Sequence, residues 1–193
     1  MGYWRTLGRD YLESKGVTNV SDEVLELIKP MTVTQSAEYF IAEFGLSGSP
    51  EIVAAEMNSI MENHYRFDIP LKQGVKEYLR SLSERNVKIC VASATAEHLM
   101  EACLSRNGVD SCFEFILSCE SVGVGKDNPA VYIEAARLLG AEPSDIAVFE
   151  DVAYAATTAR NAGFYVVGVF DEASENSWNR LMEIANESIK EFS

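Results

Sequence analysis

The spacing of apolar and polar positions divides this chain near Pro70. Up to that point only helical periodicity appears. It predicts one helix ending at Gly16, a second opened by Ser21 and stopped by Pro30, a third running from Thr32 to Gly45, and a fourth entered through Ser49 and Pro50. Ser49 as N-cap with Pro50 behind it puts the missing proline N–H where a helix leaves its first donors unpaired anyway. Residues 1–68 therefore read as a small all-helical unit.

Past Ile69-Pro70-Leu71 the rhythm alternates. Val75, Tyr78, Leu79 and Leu82 form the apolar stripe of a helix that hands over to an apolar strand over 87–92. Then follow a helix over 96–107 closed by Gly108, a strand over 113–117, a helix from Pro129 closed by Gly140, and a strand over 146–149. A helix closed by Gly163, a strand over 165–169 and a final helix containing Trp178 complete the order. Apolar strands separated by single helices predict an α/β unit over 69–193, a parallel sheet with helices on both faces. No internal repeat or low-complexity tract interrupts it.

Composition adds limits. A chain of 193 residues with 47% hydrophobic content buries a real core. No apolar run approaches the eighteen or so residues of a membrane span, so the expectation is a cytoplasmic globular protein. The formal charge of −14 opposes binding to nucleic acid or anionic membranes, which rests on Lys and Arg. Cys90, Cys103, Cys112 and Cys119 show no Cys-x-x-Cys pair and follow no secretory signal, which disfavours zinc and a disulfide framework. Nothing in the pattern specifies an oligomeric state.

The candidate chemistry sits at strand ends, where open parallel sheets bind their ligands. Ser93 and the Glu150-Asp151 pair each follow a strand, and Lys126 comes a few residues beyond a third. A hydroxyl, an ammonium and two carboxylates converging on one edge would hold a phosphoryl group beside a divalent cation. Lys126 would neutralise charge on its oxygens, Ser93 would hydrogen-bond one of them, and Glu150 with Asp151 would hold Mg2+ through oxygen ligands and waters. Singly, such residues are ordinarily a turn serine, a solvated lysine and a helix-capping acidic pair. The ordered set carries the reading. Gly123-Val-Gly-Lys126 is not a P-loop, because Glu120 stands where its first glycine belongs and Asp127 where Ser or Thr should follow the lysine.

Lys-Ile-Cys-Val-Ala-Ser at 88–93, Gly-Lys-Asp-Asn-Pro at 125–129 and Ile-Ala-Val-Phe-Glu-Asp at 146–151 resemble motifs two, three and four of the haloacid dehalogenase-like (HAD) phosphohydrolases. With Pro-Leu-x-x-Gly-Val at 70–75, Tyr132 behind the lysine motif and an Ala-rich helix reaching Ala162-Gly163, the pattern looks like the phosphatase and β-phosphoglucomutase-like branch. The resemblance implies a Rossmann-like core over 69–193, a helical cap over 1–68, and Mg2+-dependent phosphoryl transfer from a small phosphorylated metabolite, as phosphatase or phosphomutase. It places Ser93, Ala94 and Lys126 on the phosphoryl group, with Ser93 and Lys126 in the catalytic set, and makes Glu150 and Asp151 metal ligands.

The first motif of that family, Asp-x-Asp-Gly-Thr after a strand, supplies the nucleophile and the general acid/base. It does not occur in these residues, which open Met-Gly-Tyr-Trp-Arg-Thr inside a predicted helix. Asp10, Asp68 and Asp171 lack the Gly-Thr turn, and nothing in the sequence brings His64 or His98 to Ser93 as a base. By resemblance the absent strand lies mid-sheet, between those ending at Ala92 and Phe149. Its loss would leave roughly ten backbone groups unpaired at about 1–3 kcal/mol each when buried, comparable with the whole stability of a domain. The expectations are therefore an internal methionine taken as the start, with a native product longer by about fifteen to twenty residues, and an inactive chain as given. The alternative is a non-catalytic phosphate-binding or interaction protein of the same fold.

Overall fold

The computed structural model describes residues 2–192. Met1, on which the reading of an internal start rests, lies outside them. The helical part comprises α1 (Gly2–Ser14), α2 (Asp22–Ile28), α3 (Val33–Phe44) and α4 (Pro50–Asn63), followed by a π-helical turn, His64–Asp68. α3 has the cleanest local reason to exist. The Thr32 hydroxyl accepts from Gln35 N, the Gln35 side chain accepts from Thr32 N, and Gly45 closes the other end at φ 66°. Ser21 does hold the N-cap position of α2, yet its hydroxyl turns to Glu23 at 3.2 Å instead of capping the helix. Leu7, Tyr11, Leu12, Ala37, Phe40, Val53, Met57 and Met61 fill the space between these helices, and Leu99 from the following part joins them.

The α/β part runs α5 (Val75–Glu84), β1 (Cys90–Ser93), α6 (Glu97–Asn107), β2 (Phe115–Ser118), α7 (Cys119–Val122), α8 (Ala130–Leu139), β3 (Ala147–Glu150), α9 (Ala153–Asn161), β4 (Tyr165–Val169), α10 (Trp178–Ile184) and β5 (Glu187–Ile189). Two of the strands begin later than the apolar runs suggest. Val87 is spent on finishing α5: Asn86 takes the left-handed conformation at φ 57° and Val87 N bonds Leu82 O, so pairing starts at Cys90. Phe113 N likewise bonds Asp110 O in a short turn, and β2 begins at Phe115. Neither the π-helical turn nor β5 was expected; Glu187-Ser-Ile189 is too short and polar to read as a strand, and only its register beside β4 makes it one.

Among the described residues all the pairings are parallel, but they form two sheets. β1 pairs with β2, and β3 with β4, which pairs in turn with β5. Both sheets share one apolar cluster with α8, α9 and α10: Leu117, Val131, Tyr132, Ala156, Val166 and Leu181 are buried, with Cys90, Ala92 and Val148 packed against them. Phe149, one residue on, points to the opposite face, where Tyr78 of α5 and Phe192 lie 6.0 and 6.2 Å away. Helix α5 thus meets β3 on the face opposite α8, α9 and α10. β4 is buried along four of its five residues, whereas all four residues of β1 are half-exposed and Ala147 and Phe149 of β3 are exposed. A parallel sheet normally hides such strands on both sides.

Candidate functional site

β3 delivers Glu150 at its carboxyl end, in a position 4% exposed. The loop between α7 and α8 brings Lys126 to it, and the first turn of α8 brings Tyr132. The Lys126 ammonium is hydrogen-bonded and ion-paired to Glu150 Oε1. The Tyr132 hydroxyl donates to that same oxygen at 2.7 Å, while the ammonium stands 5.6 Å from the Tyr132 ring centroid. Burial pulls the Lys126 ammonium toward losing its proton, but the charge and hydrogen bond of Glu150 outweigh it and hold the lysine above its ordinary range. Burial and the same carboxylate drive the Tyr132 hydroxyl upward, so it stays a donor.

Asp151 follows immediately. Burial first, then the charges of Glu150 and Asp171, push its carboxyl up to about 6, against the pull of Lys126. Asp171, beyond the end of β4, goes the other way. Burial would raise it, yet Lys72 at 2.6 Å and the Ala173 N–H at 2.9 Å hold it below its ordinary value. Lys72 also donates to Phe170 O at 3.0 Å, which ties the 69–74 connector to the strand end.

These shifts set a direction for stability. A carboxyl that binds its proton more tightly when folded stabilises the protein below its unfolded value, and that contribution is lost as pH rises from about 4 to about 6. At pH 7.5 the ionised Asp151 is a burden that asparagine lacks. Asp151→Asn is expected to be more stable there by up to about 3 kcal/mol, and equal to the parent at pH 4. Urea denaturation at both pH values checks this.

Ser93 ends β1, and its hydroxyl accepts from Thr95 N at 3.1 Å, which shapes a tight turn through Ala94. Thr95 Oγ1 lies 3.2 Å from the Tyr65 hydroxyl, which accepts from Trp4 Nε1 at 2.7 Å, so that turn also leans on the helical part. The structure therefore assembles Lys126, Glu150 and Tyr132 by direct bonds with Asp151 adjoining, and leaves Ser93 and Ala94 at the end of the other sheet, bonded locally. His98 is exposed on α6.

Glu150 and Asp151 offer hard oxygen donors, and two carboxylates with waters and substrate phosphoryl oxygens are how Mg2+ is commonly held. Burial first, and then the negative charges of Glu150 and Asp171, raise the Asp151 carboxyl, and a bound cation would offset both. Among the described residues no three His, Cys, Asp or Glu side chains group as a metal site by themselves. The donor set fits Mg2+ as an incomplete shell. No helix among them is long and apolar enough to cross a membrane.

Sequence reasoning named Tyr132 only as part of a pattern, and dismissed Asp171. Tyr132 was findable three residues beyond Pro129, on the first turn of its helix. The Lys72–Asp171 pair spans 99 positions and leaves no local trace.

Parallel strands alternating with helices define an α/β protein, in which Lys126 of a loop meets Glu150 at the carboxyl end of one strand. The family follows from comparison: a haloacid dehalogenase-like hydrolase family model matches residues 13–163, and the chain belongs to that family. Among curated relatives, β-phosphoglucomutase of Bacillus subtilis is 29% identical over 99 residues, which are 51% of this chain and 43% of that one. Validoxylamine A 7'-phosphate phosphatase of Streptomyces hygroscopicus is 29% identical over 96 residues, 50% of this chain and 45% of that one. The chain spans less than half the length of these relatives. Among solved structures, β-phosphoglucomutase from Clostridium difficile superimposes with a TM-score of 0.76 at 17% identity, covering 98% of this chain and 84% of that one. CbbY from Rhodobacter sphaeroides, solved with xylulose-1,5-bisphosphate, gives 0.79 at 17% identity, covering 98% and 87%. These likenesses show the fold.

Proposed function

We propose that this chain carries the phosphate-binding and metal-binding parts of a Mg2+-dependent phosphatase or phosphomutase that acts on a small phosphomonoester. The observation that carries the reading is the buried Lys126–Glu150–Tyr132 group beside Asp151 at a parallel-strand terminus. Lys126 binds and neutralises the phosphoryl oxygens, the Ser93 hydroxyl and the Ala94 backbone hold another, and Glu150 with Asp151 take the metal. Tyr132 fixes one carboxylate oxygen of Glu150, so Lys126 has a defined post to leave or share when an anion arrives. The metal, when bound, supplies charge neutralisation at the phosphoryl oxygens. Residues 1–68 serve as a cap over the core of 69–193. Relatives named for hexitol and validoxylamine A 7'-phosphate phosphatase activity favour a phosphorylated sugar or polyol.

The nucleophile is assigned to an Asp-x-Asp turn supplied on a parallel strand between β1 and β3, whose unshared edges and exposed residues suit such an insertion. One observation favours the second reading, a non-catalytic phosphate binder, for these 193 residues alone. Both Asp171 oxygens are engaged by Lys72 and Ala173, Asp68 is paired with His64, and Asp10 is exposed on α1. None is offered to a phosphorus atom.

Both readings share a test. Inorganic phosphate with Mg2+ at about a hundred times its dissociation constant is expected to stabilise the chain by about 2.7 kcal/mol, a rise of several degrees in Tm. Lys126→Ala should lose that rise. An equal rise in Lys126→Ala, or none in the parent chain, would overturn the site.

A further inference from the structure

The turn between α2 and α3 lies directly on the loop that carries Lys126, and two side chains of the α/β part complete the ends of those helices. Glu120 Oε1 accepts from Thr34 N at 3.1 Å. Thr34 is the second residue of α3, and its N–H is one of the donors that the Thr32–Gln35 capping box does not reach. The carboxylate also sits at the positive end of a twelve-residue helix. At the neighbouring end of α2, the Tyr154 hydroxyl donates to Lys29 O at 3.0 Å, meeting a carbonyl that the helix leaves open. Between these bonds, the Pro30 carbonyl oxygen reaches the Gly125 α-carbon so closely that a β-carbon there would fall inside it. Gly125 precedes Lys126, and Tyr154 follows Asp151 by three residues.

We propose that Glu120 and Tyr154 are positioning residues: they clamp the α2–α3 turn onto the Gly123-to-Asp127 loop and thereby fix Lys126 for its anion. On this view Gly125 is glycine because the Pro30 carbonyl needs its surface. The helical part then helps build the phosphate site as well as covering it. The inference rests on the proposed phosphate role of Lys126, but its first readout does not need a ligand.

That readout is amide hydrogen exchange on the full 193-residue chain. Glu120→Ala is expected to speed exchange about tenfold at Thr34, and at Asn128, whose N–H bonds Gly125 O at 3.1 Å, with global Tm little changed. Glu120→Gln keeps an oxygen acceptor and should restore most of the protection, a rescue that a loss of packing alone would not give. Tyr154→Phe should loosen the same two amides. Gly125→Ala should do so more strongly, and if that variant fails to fold the Glu120 pair still decides.

Titration with inorganic phosphate and Mg2+ forms the second readout, with affinity expected to fall about fivefold in Glu120→Ala and recover in Glu120→Gln. Unchanged exchange at Thr34 and Asn128 in Glu120→Ala would overturn the clamp. Faster exchange with unchanged phosphate affinity would overturn its link to Lys126. Failure of the parent chain to bind phosphate would sink the functional reading above and the link with it, while the exchange rates still decide the clamp.

Discussion

Incubated with a generic aryl phosphate and Mg2+, the 193-residue chain is expected to release no phosphate above the uncatalysed rate. The same chain preceded by a strand and an Asp-x-Asp-Gly-Thr turn is expected to turn over. Enzymes of this kind owe their acceleration to positioning and charge stabilisation around a transferred phosphoryl group, yet attack still needs a nucleophile in line with it. In the proposed site Lys126, Glu150 and Asp151 supply the charge, while Asp171 and Asp68 are bonded elsewhere and Asp10 is exposed. Rate accelerations of a millionfold and beyond make the contrast easy to read. Asp151→Asn in the extended chain should remove Mg2+-dependent turnover. Release by the 193 residues alone that disappears in Asp151→Asn would show that turnover at this site does not need the Asp-x-Asp turn, and would refute the assignment to an inserted strand.

The second large effect is on stability. Lys126→Met is expected to cost about 3–5 kcal/mol, because it strands Glu150, whose side chain is 3% exposed, with the Tyr132 hydroxyl as its remaining bonded partner. Burying an ion pair contributes little net stability, but removing one member leaves a bare charge in a medium that solvates it poorly. Lys126→Met combined with Glu150→Gln should therefore recover most of the loss, since an amide can still accept from Tyr132. Urea denaturation of the two single variants and the double gives the coupling directly. A cost below about 1 kcal/mol for Lys126→Met would mean that water reaches Glu150, and that the site is more open than its 15% and 3% side-chain exposures imply.

Much of this molecule was legible along the chain. Thr32, the proline after Ser49 and the glycines at 45, 108 and 140 marked where helices begin and end, because caps act within a few residues of themselves. Apolar runs separated by helices fixed a parallel arrangement. Strand starts slipped at 87 and 113 because backbone groups there were already committed to the turns before them, which hydrophobicity does not report. Glu150, Asp151 and Lys126 could be nominated from their places after strands and in a loop.

Their relation could not. That Glu150 binds Lys126 and Tyr132 at once, that burial and the charges of Glu150 and Asp171 raise Asp151 while Lys72 holds Asp171, and that Glu120 caps a helix 86 positions away are matters of elements meeting across the fold. The sequence by itself determined the elements, their alternation and the chemical types at the strand ends, since each depends on neighbours within about one turn. Only the tertiary structure decided which charges are buried together and that the strands fall into two sheets. Burial and pairing at a distance depend on every element packed around them.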